Sequence, residues 1–176
     1  MTLPNMDEWD EEQKKAWKEL ESREKVAYWR RDIEQNLHAS LRKLDPNQEF
    51  RWEPQQHLDD EGDRHSVDVV GMPNIQGKRR VFVEIEADRA TCVRNIIKIW
   101  MPVSECTLKQ PAMIIQVFSP NYISKKEKKK KETIFVGNKA EKDTDERLIY
   151  RFIQLPSWLS SDEIAARIMS VVVADS

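Results

Sequence analysis

The chain has 176 residues, 34% of them charged and 39% hydrophobic, and a single domain usually spans roughly 100–200 residues. Its only glycines, Gly62, Gly71, Gly77 and Gly137, cannot make a GxGxxG dinucleotide loop or a GxxxxGK phosphate loop, and no apolar run approaches the ~18 residues of a membrane span. The net charge of −2 is uneven: Asp7, Glu8, Asp10, Glu11 and Glu12 place −5 in the first twelve residues and leave +3 on the rest.

The N-terminus is acidic and has no apolar segment, so no signal peptide is expected and the chain reads as a cytoplasmic protein. Residues 1–176 are expected to form one domain, with 1–22 as an acidic helical extension. Asp10 to Glu21 is rich in Glu, Lys and Ala, which favour helix, and Trp9 and Trp17 read as packing groups. From Glu24 to Leu44 an apolar stripe of Val26, Trp29, Ile33, Leu37, Leu41 and Leu44 predicts a second helix, closed by Asp45-Pro46-Asn47. Three strands are predicted next: Glu49 to Gln55, Ser66 to Met72 and Arg79 to Ala87, with a hairpin-like connection at Gln76-Gly77. Val93, Ile96, Ile97 and Trp100 then follow helical spacing, predicting a helix from Ala90 to Met101 stopped by Pro102.

The run Ala112 to Phe118 is almost continuously apolar, as expected of a parallel strand covered on both faces. A charged, partly helical crossover from Ser124 to Asp145 leads to a strand at Leu148 to Leu155, and Ser160 to Glu163 caps a last helix from Ile164 to Val173. The order α-β-β-β-α-β-α-β-α describes an α/β domain with a central mixed sheet flanked by helices.

Zinc and dithiol chemistry find no support. Cys92 and Cys106 form no CxxC and read as two buried free thiols, while His38, His57 and His65 lack paired-ligand spacing. The third strand is different. Alternate residues of a strand share a face, so Val81, Val83 and Ile85 point one way and Phe82, Glu84 and Glu86 the other. Antiparallel pairing with the second strand is expected to bring Asp68 beside Glu84. Three carboxylates on one sheet face are hard oxygen ligands suited to Mg²⁺; the alternative is a solvated acidic face.

Asp68, fifteen intervening residues and then Glu84-Ile85-Glu86, set in this element order, resemble the core of the PD-(D/E)xK nuclease superfamily, the restriction-endonuclease-like fold. The likeness covers Glu24 to Leu155. Val67 stands where the motif proline would be, and Glu86 replaces the motif lysine, giving the ExE form of the BamHI-like branch. The stretch from Glu84 to Trp100 also has that branch's shape: two carboxylates, a short polar turn, then a helix bearing Arg, Asn and Lys. The resemblance implies an Mg²⁺-dependent endodeoxyribonuclease of restriction type, with Mn²⁺ as a substitute ion. Asp68, Glu84 and the Ile85 carbonyl would hold the metal, and Glu86 would serve as general base or second-ion ligand. Glu34, on the preceding helix, would join the site or else sit in a surface ion pair. Arg94 or Lys98 would supply the missing positive charge or else face solvent.

The basic runs Lys78-Arg79-Arg80 and Lys125 to Lys131, among them Lys125, Lys126 and Lys128, suit a polyanion such as DNA; a solvated lysine-rich helix is the alternative. Cutting both strands of a duplex would call for a homodimer. A competing reading is a catalytically inactive nuclease-fold module that binds nucleic acid or a protein partner. A third is a protein-interaction domain that uses the acidic N-terminal helix and its tryptophans.

Overall fold

The computed structural model describes residues 11, 12, 15, 22–57, 66–87, 92–123 and 126–175. Glu11, Glu12 and Lys15 are helical; most of the expected N-terminal helix, with Trp9 and Trp17, lies outside the described residues. The elements run α1 (Ser22–Lys43), β1 (Phe50–His57), β2 (Ser66–Pro73), β3 (Arg80–Glu86), α2 (Cys92–Ser104), β4 (Ala112–Phe118), a 3₁₀ turn (Pro120–Tyr122), α3 (Glu127–Asp143), β5 (Leu148–Gln154) and α4 (Ser161–Ala174). This is the expected order. The five strands lie in sequence order in one mixed sheet, with β1, β2 and β3 antiparallel and β3, β4 and β5 parallel.

Period-two alternation sorts the side chains onto two faces. Val81, Val83 and Ile85 of β3 and Met113, Ile115 and Val117 of β4 pack with Trp29, Ile33, Leu37 and Leu41 of α1 and Ile164, Ile168 and Val172 of α4. Phe82, Ile114, Leu148 and Tyr150 pack with Ile96, Ile99 and Val103 of α2 and Ala140 of α3. Parallel strands need helical crossovers, and α2 and α3 supply them on this second face. The Trp29 indole fastens α1 to the loop before α4 by donating from Nε1 to the Leu159 carbonyl at 2.8 Å. The expected capping box at α4 is present: the Ser160 hydroxyl accepts from the Glu163 N–H, and the Glu163 carboxylate accepts from the Ser160 N–H.

Four expectations need correction. Leu44 is 42% exposed, because α1 ends at Lys43 and the stripe ends with it. Cys106 is exposed rather than buried, its Sγ accepting from Arg147 Nη1 at 3.0 Å. Pro102 does not stop α2 but lies inside it; the helix runs on through the buried Val103, and the Met101 carbonyl accepts from the Glu105 N–H at 2.9 Å. The inward face of α2 is also turned from the expected one. Cys92, Ile96, Ile99 and Val103 are buried, while Ile97 is 38% exposed. Apart from the side that carries Arg94, Asn95 and Lys98, this helix is apolar over more than half its circumference, too wide an arc for periodicity alone to select the buried stripe. Among the described residues, no helix is long and apolar enough to cross a membrane.

Candidate active site

Strand β3 delivers Glu84 and Glu86 to the face covered by α2, and both are buried. Burial of a carboxylate is unfavourable unless donors or cations meet it, and α2 provides them. Asn95 donates from Nδ2 to Glu86 Oε1 at 3.0 Å, and Lys98 Nζ lies 2.5 Å from Glu84 Oε1. Three helical residues advance roughly 4.5 Å and two strand residues roughly 6.6 Å, so an Asn and a Lys three apart can serve two carboxylates two apart. The Lys98 side chain is only 5% exposed and that of Glu84 3%. Of the two cations expected to supply positive charge, Lys98 therefore reaches the carboxylates, and Arg94 is exposed.

Asp68 is placed differently from the expectation of three carboxylates on one face. Register between β2 and β3 runs from Gly71↔Val81 to Val69↔Val83. Val69 belongs to the first core and Val67 to the second, so alternation slips between them, at Asp68. Here the two strands part, and Asp68 Oδ2 accepts from the Ile85 N–H at 2.7 Å. Successive strand residues direct their amides and carbonyls to opposite sides. The Glu86 carbonyl accepts from Ser119 N, beyond β4, so the Ile85 carbonyl faces β2 and the gap beside Asp68. Asp68 and Ile85 also line a small hollow with Arg30, Ile33 and Glu34. Glu34 is exposed and ion-paired with Arg30 Nε at 2.6 Å. Arg30, which the sequence reading passed over, was traceable as the residue one helical turn before Glu34.

Burial pushes all three carboxyl groups above their ordinary values. For Asp68 the opposing influences are the Ile85 N–H and then the charges of Lys98 and Arg30. Glu84 is raised furthest, by burial and by the nearby Asp68 charge, against the pull of Lys98. Glu86 is raised by burial and lowered by hydrogen bonds from Asn95, Cys92 and Gln116. Cys92, buried beside Glu86 and 3.1 Å from the Tyr122 hydroxyl, has its thiol pushed up to about 12, which makes it an unreactive packing group.

The buried Gln116 was also passed over, although it is the one polar residue in the apolar run of β4. It stands level with Glu84 in the register and donates from Nε2 to Glu86 Oε1 at 2.8 Å.

Among the described residues, no group of three or more His, Cys, Asp and Glu side chains is gathered to hold a metal by itself. Mg²⁺ asks less of a protein: one or two carboxylates, with water and phosphate completing the shell. Asp68 and Glu84, whose mutual repulsion a cation would relieve, and the Ile85 carbonyl fit that requirement. Glu84 would then be shared between the ion and Lys98.

The lysine run opens α3. Its first turns stand at the carboxyl ends of β4 and β5, level with Glu86, since Glu86, Phe118 and Gln154 are in register and Lys130 Nζ donates to Gln154 Oε1 at 2.9 Å. Lys126 lies 5.6 Å over the Tyr122 ring, Lys128 is exposed 4.0 Å from Glu132, and Lys125 lies outside the described residues. Compared with protein-family models, with curated proteins and with solved structures, the chain matches none.

Proposed function

We propose that this chain is an Mg²⁺-dependent endodeoxyribonuclease that hydrolyses phosphodiester bonds with a site of the PD-(D/E)xK type. The observation that carries the reading is the Lys98 ammonium 2.5 Å from Glu84. The motif position after Glu84-Ile85 holds Glu86 instead of lysine, and α2 brings a lysine to the same carboxylate from another element. Asp68, Glu84 and the Ile85 carbonyl would hold the ion. Bound there, Mg²⁺ supplies a water of lowered pKa and stabilises charge developing on the phosphate. Lys98 contributes a fixed positive charge in a place with little water, where electrostatic stabilisation acts most strongly. Arg30 extends the positive charge to the mouth of the site, and the start of α3 offers lysines to a DNA backbone at the same end of the sheet.

The test incubates purified protein with linear and supercoiled DNA and Mg²⁺ or Mn²⁺, beside Glu84→Ala and Lys98→Ala. Metal-dependent cleavage lost in both variants is expected. Cleavage that survives Glu84→Ala overturns the site.

A second reading, a module without catalysis that binds nucleic acid or a protein, is favoured by one observation: the buried Lys98 ammonium pairs with Glu84, so the protein itself supplies a counter-charge to that carboxylate. It predicts DNA binding through the α3 lysines with strong salt dependence and no cleavage under any divalent ion.

A further inference from the structure

We infer that Glu86 is a positioning residue: with Gln116 and Tyr150 it fixes the first turns of α2 so that Lys98 meets Glu84, and it is not the base of the reaction. The hydrogen bonds carry this. Gln116 is fully buried, and its Nε2 donates to Glu86 Oε1 at 2.8 Å and to the Cys92 carbonyl at 2.9 Å, while its Oε1 accepts from the Tyr150 hydroxyl at 2.8 Å. The amide fits one way round only, since two acceptors require its NH₂ and one hydroxyl requires its oxygen.

Cys92 is the first residue of α2, so β4 holds the beginning of the helix. Asn95, one turn on, donates to the same Glu86 oxygen at 3.0 Å. Lys98 follows three residues later, on Glu84. Glu86 is 1% exposed, and both donors to Oε1 belong to the protein. Among the described residues Oε2 has no N–H or O–H donor, and the Cys92 thiol is the further polar group at this carboxylate. A base needs an oxygen open to the attacking water; a bracket needs acceptors at the right places. Glu86 has the second property.

Two arms test this on the full chain, and only one rests on the nuclease reading. In the first, lysines are acetylated with an N-hydroxysuccinimide ester and their rates read by mass spectrometry, with exposed Lys128 as the internal reference. Lys98 should stay protected in the native protein and in Glu86→Gln. It should react about tenfold faster in Glu86→Ala and Gln116→Ala, through easier local opening. Tyr150→Phe, which removes a single hydroxyl and keeps the ring, should show a smaller rise in the same direction and covers the case in which an alanine variant fails to fold. Equal protection of Lys98 in every folded variant overturns the inference.

In the second arm, Glu86→Gln should keep kcat within about threefold, whereas removing a general base loses about 10²–10⁴-fold. Gln116→Ala should lower kcat by about 10–100-fold and leave KM nearly unchanged. A loss of about 10²-fold in Glu86→Gln with Lys98 still protected makes Glu86 a catalytic group and overturns the inference. A native protein that cuts nothing overturns the nuclease reading alone, and the acetylation arm still decides the role of Glu86.

Discussion

The two faces of the sheet are built on opposite terms. Under α1 and α4 the contacts with the sheet are mainly apolar, from Trp29 and Leu37 to Val83 and Ile168. Under α2 and α3 the same alternation places Phe82 and Ile114 in an apolar floor, then Glu84, Glu86 and Gln116 toward the carboxyl ends of the strands, all buried. Apolar contacts are numerous, individually weak and forgiving in direction. The polar contacts are few, and each depends on one partner at one atom. The second face is therefore where a single substitution can leave a charge stranded, and where α2 is held at a defined rotation.

The largest expected effect tests that difference. Lys98→Met leaves Glu84 buried without its cation and should lower unfolding stability by about 3–5 kcal/mol, read by urea denaturation. Adding Glu84→Gln should recover most of the loss, because the stranded charge is gone. A double variant as unstable as the single one would mean that Lys98 stabilises by packing and not by charge. On the apolar face, Leu37→Ala should cost about 2–5 kcal/mol through the cavity it leaves, and no second polar change should rescue it.

Gly137→Ala should cost less, about 1–3 kcal/mol. A Cβ there would lie 2.4 Å from the Tyr150 ring, the ring whose hydroxyl orients Gln116. The ring must move, so this variant should also speed acetylation of Lys98, which Leu37→Ala should not.

How much of this was legible follows from the periods involved. A strand's alternation is unambiguous, so Val81, Val83 and Ile85 separate from Glu84 and Glu86 in the sequence itself. The Ser160/Glu163 capping box could be read likewise, because its chemistry is local. The rotation of α2 was not legible. Val93, Ile96, Ile97, Ile99 and Trp100 offer several apolar stripes, and the choice falls to Asn95 and Lys98, whose partners lie on another element. The slip at Asp68 was hidden for a related reason: where β2 parts from β3 is decided by a side chain that takes over an amide the ladder would have used. Gln116 stood out as a lone polar residue, but its meaning required Tyr150 and Cys92 beside it.

The pH dependence of stability tests the burial of the three carboxyl groups. Asp68, Glu84 and Glu86 bind protons more tightly folded than unfolded, since their values are raised from about 3.8 and 4.5. As pH rises above about 4.5, the unfolded chain therefore holds fewer protons than the native one, and native stability falls with pH until the folded values are passed. Urea midpoints should accordingly decline from pH 5 toward pH 8. Saturating Mg²⁺ should offset part of the decline, because a bound cation favours the ionised carboxylates. Glu84→Gln should flatten the curve. A midpoint that rises with pH over this window would contradict the burial described here.

The smallest effect on stability is expected where charge meets water. Lys128 and Lys131 are ion-paired one helical turn from Glu132 and Glu127, and exposed pairs of this kind contribute about 0–1 kcal/mol. Lys128→Ala and Lys129→Ala should therefore leave the urea midpoint almost unmoved. Their effect should be on DNA: affinity measured across salt concentrations should fall for every sequence alike, and the slope of log K against log salt should shrink by about one for each lysine that touches a phosphate. Lys98→Met should do the reverse, costing stability while leaving the salt slope unchanged, since a buried ammonium on Glu84 releases no counterion. If Lys128→Ala and Lys129→Ala leave the slope intact, the start of α3 is not the DNA-binding surface, and the cations that hold the backbone must be sought at the mouth of the site, where Arg30 stands.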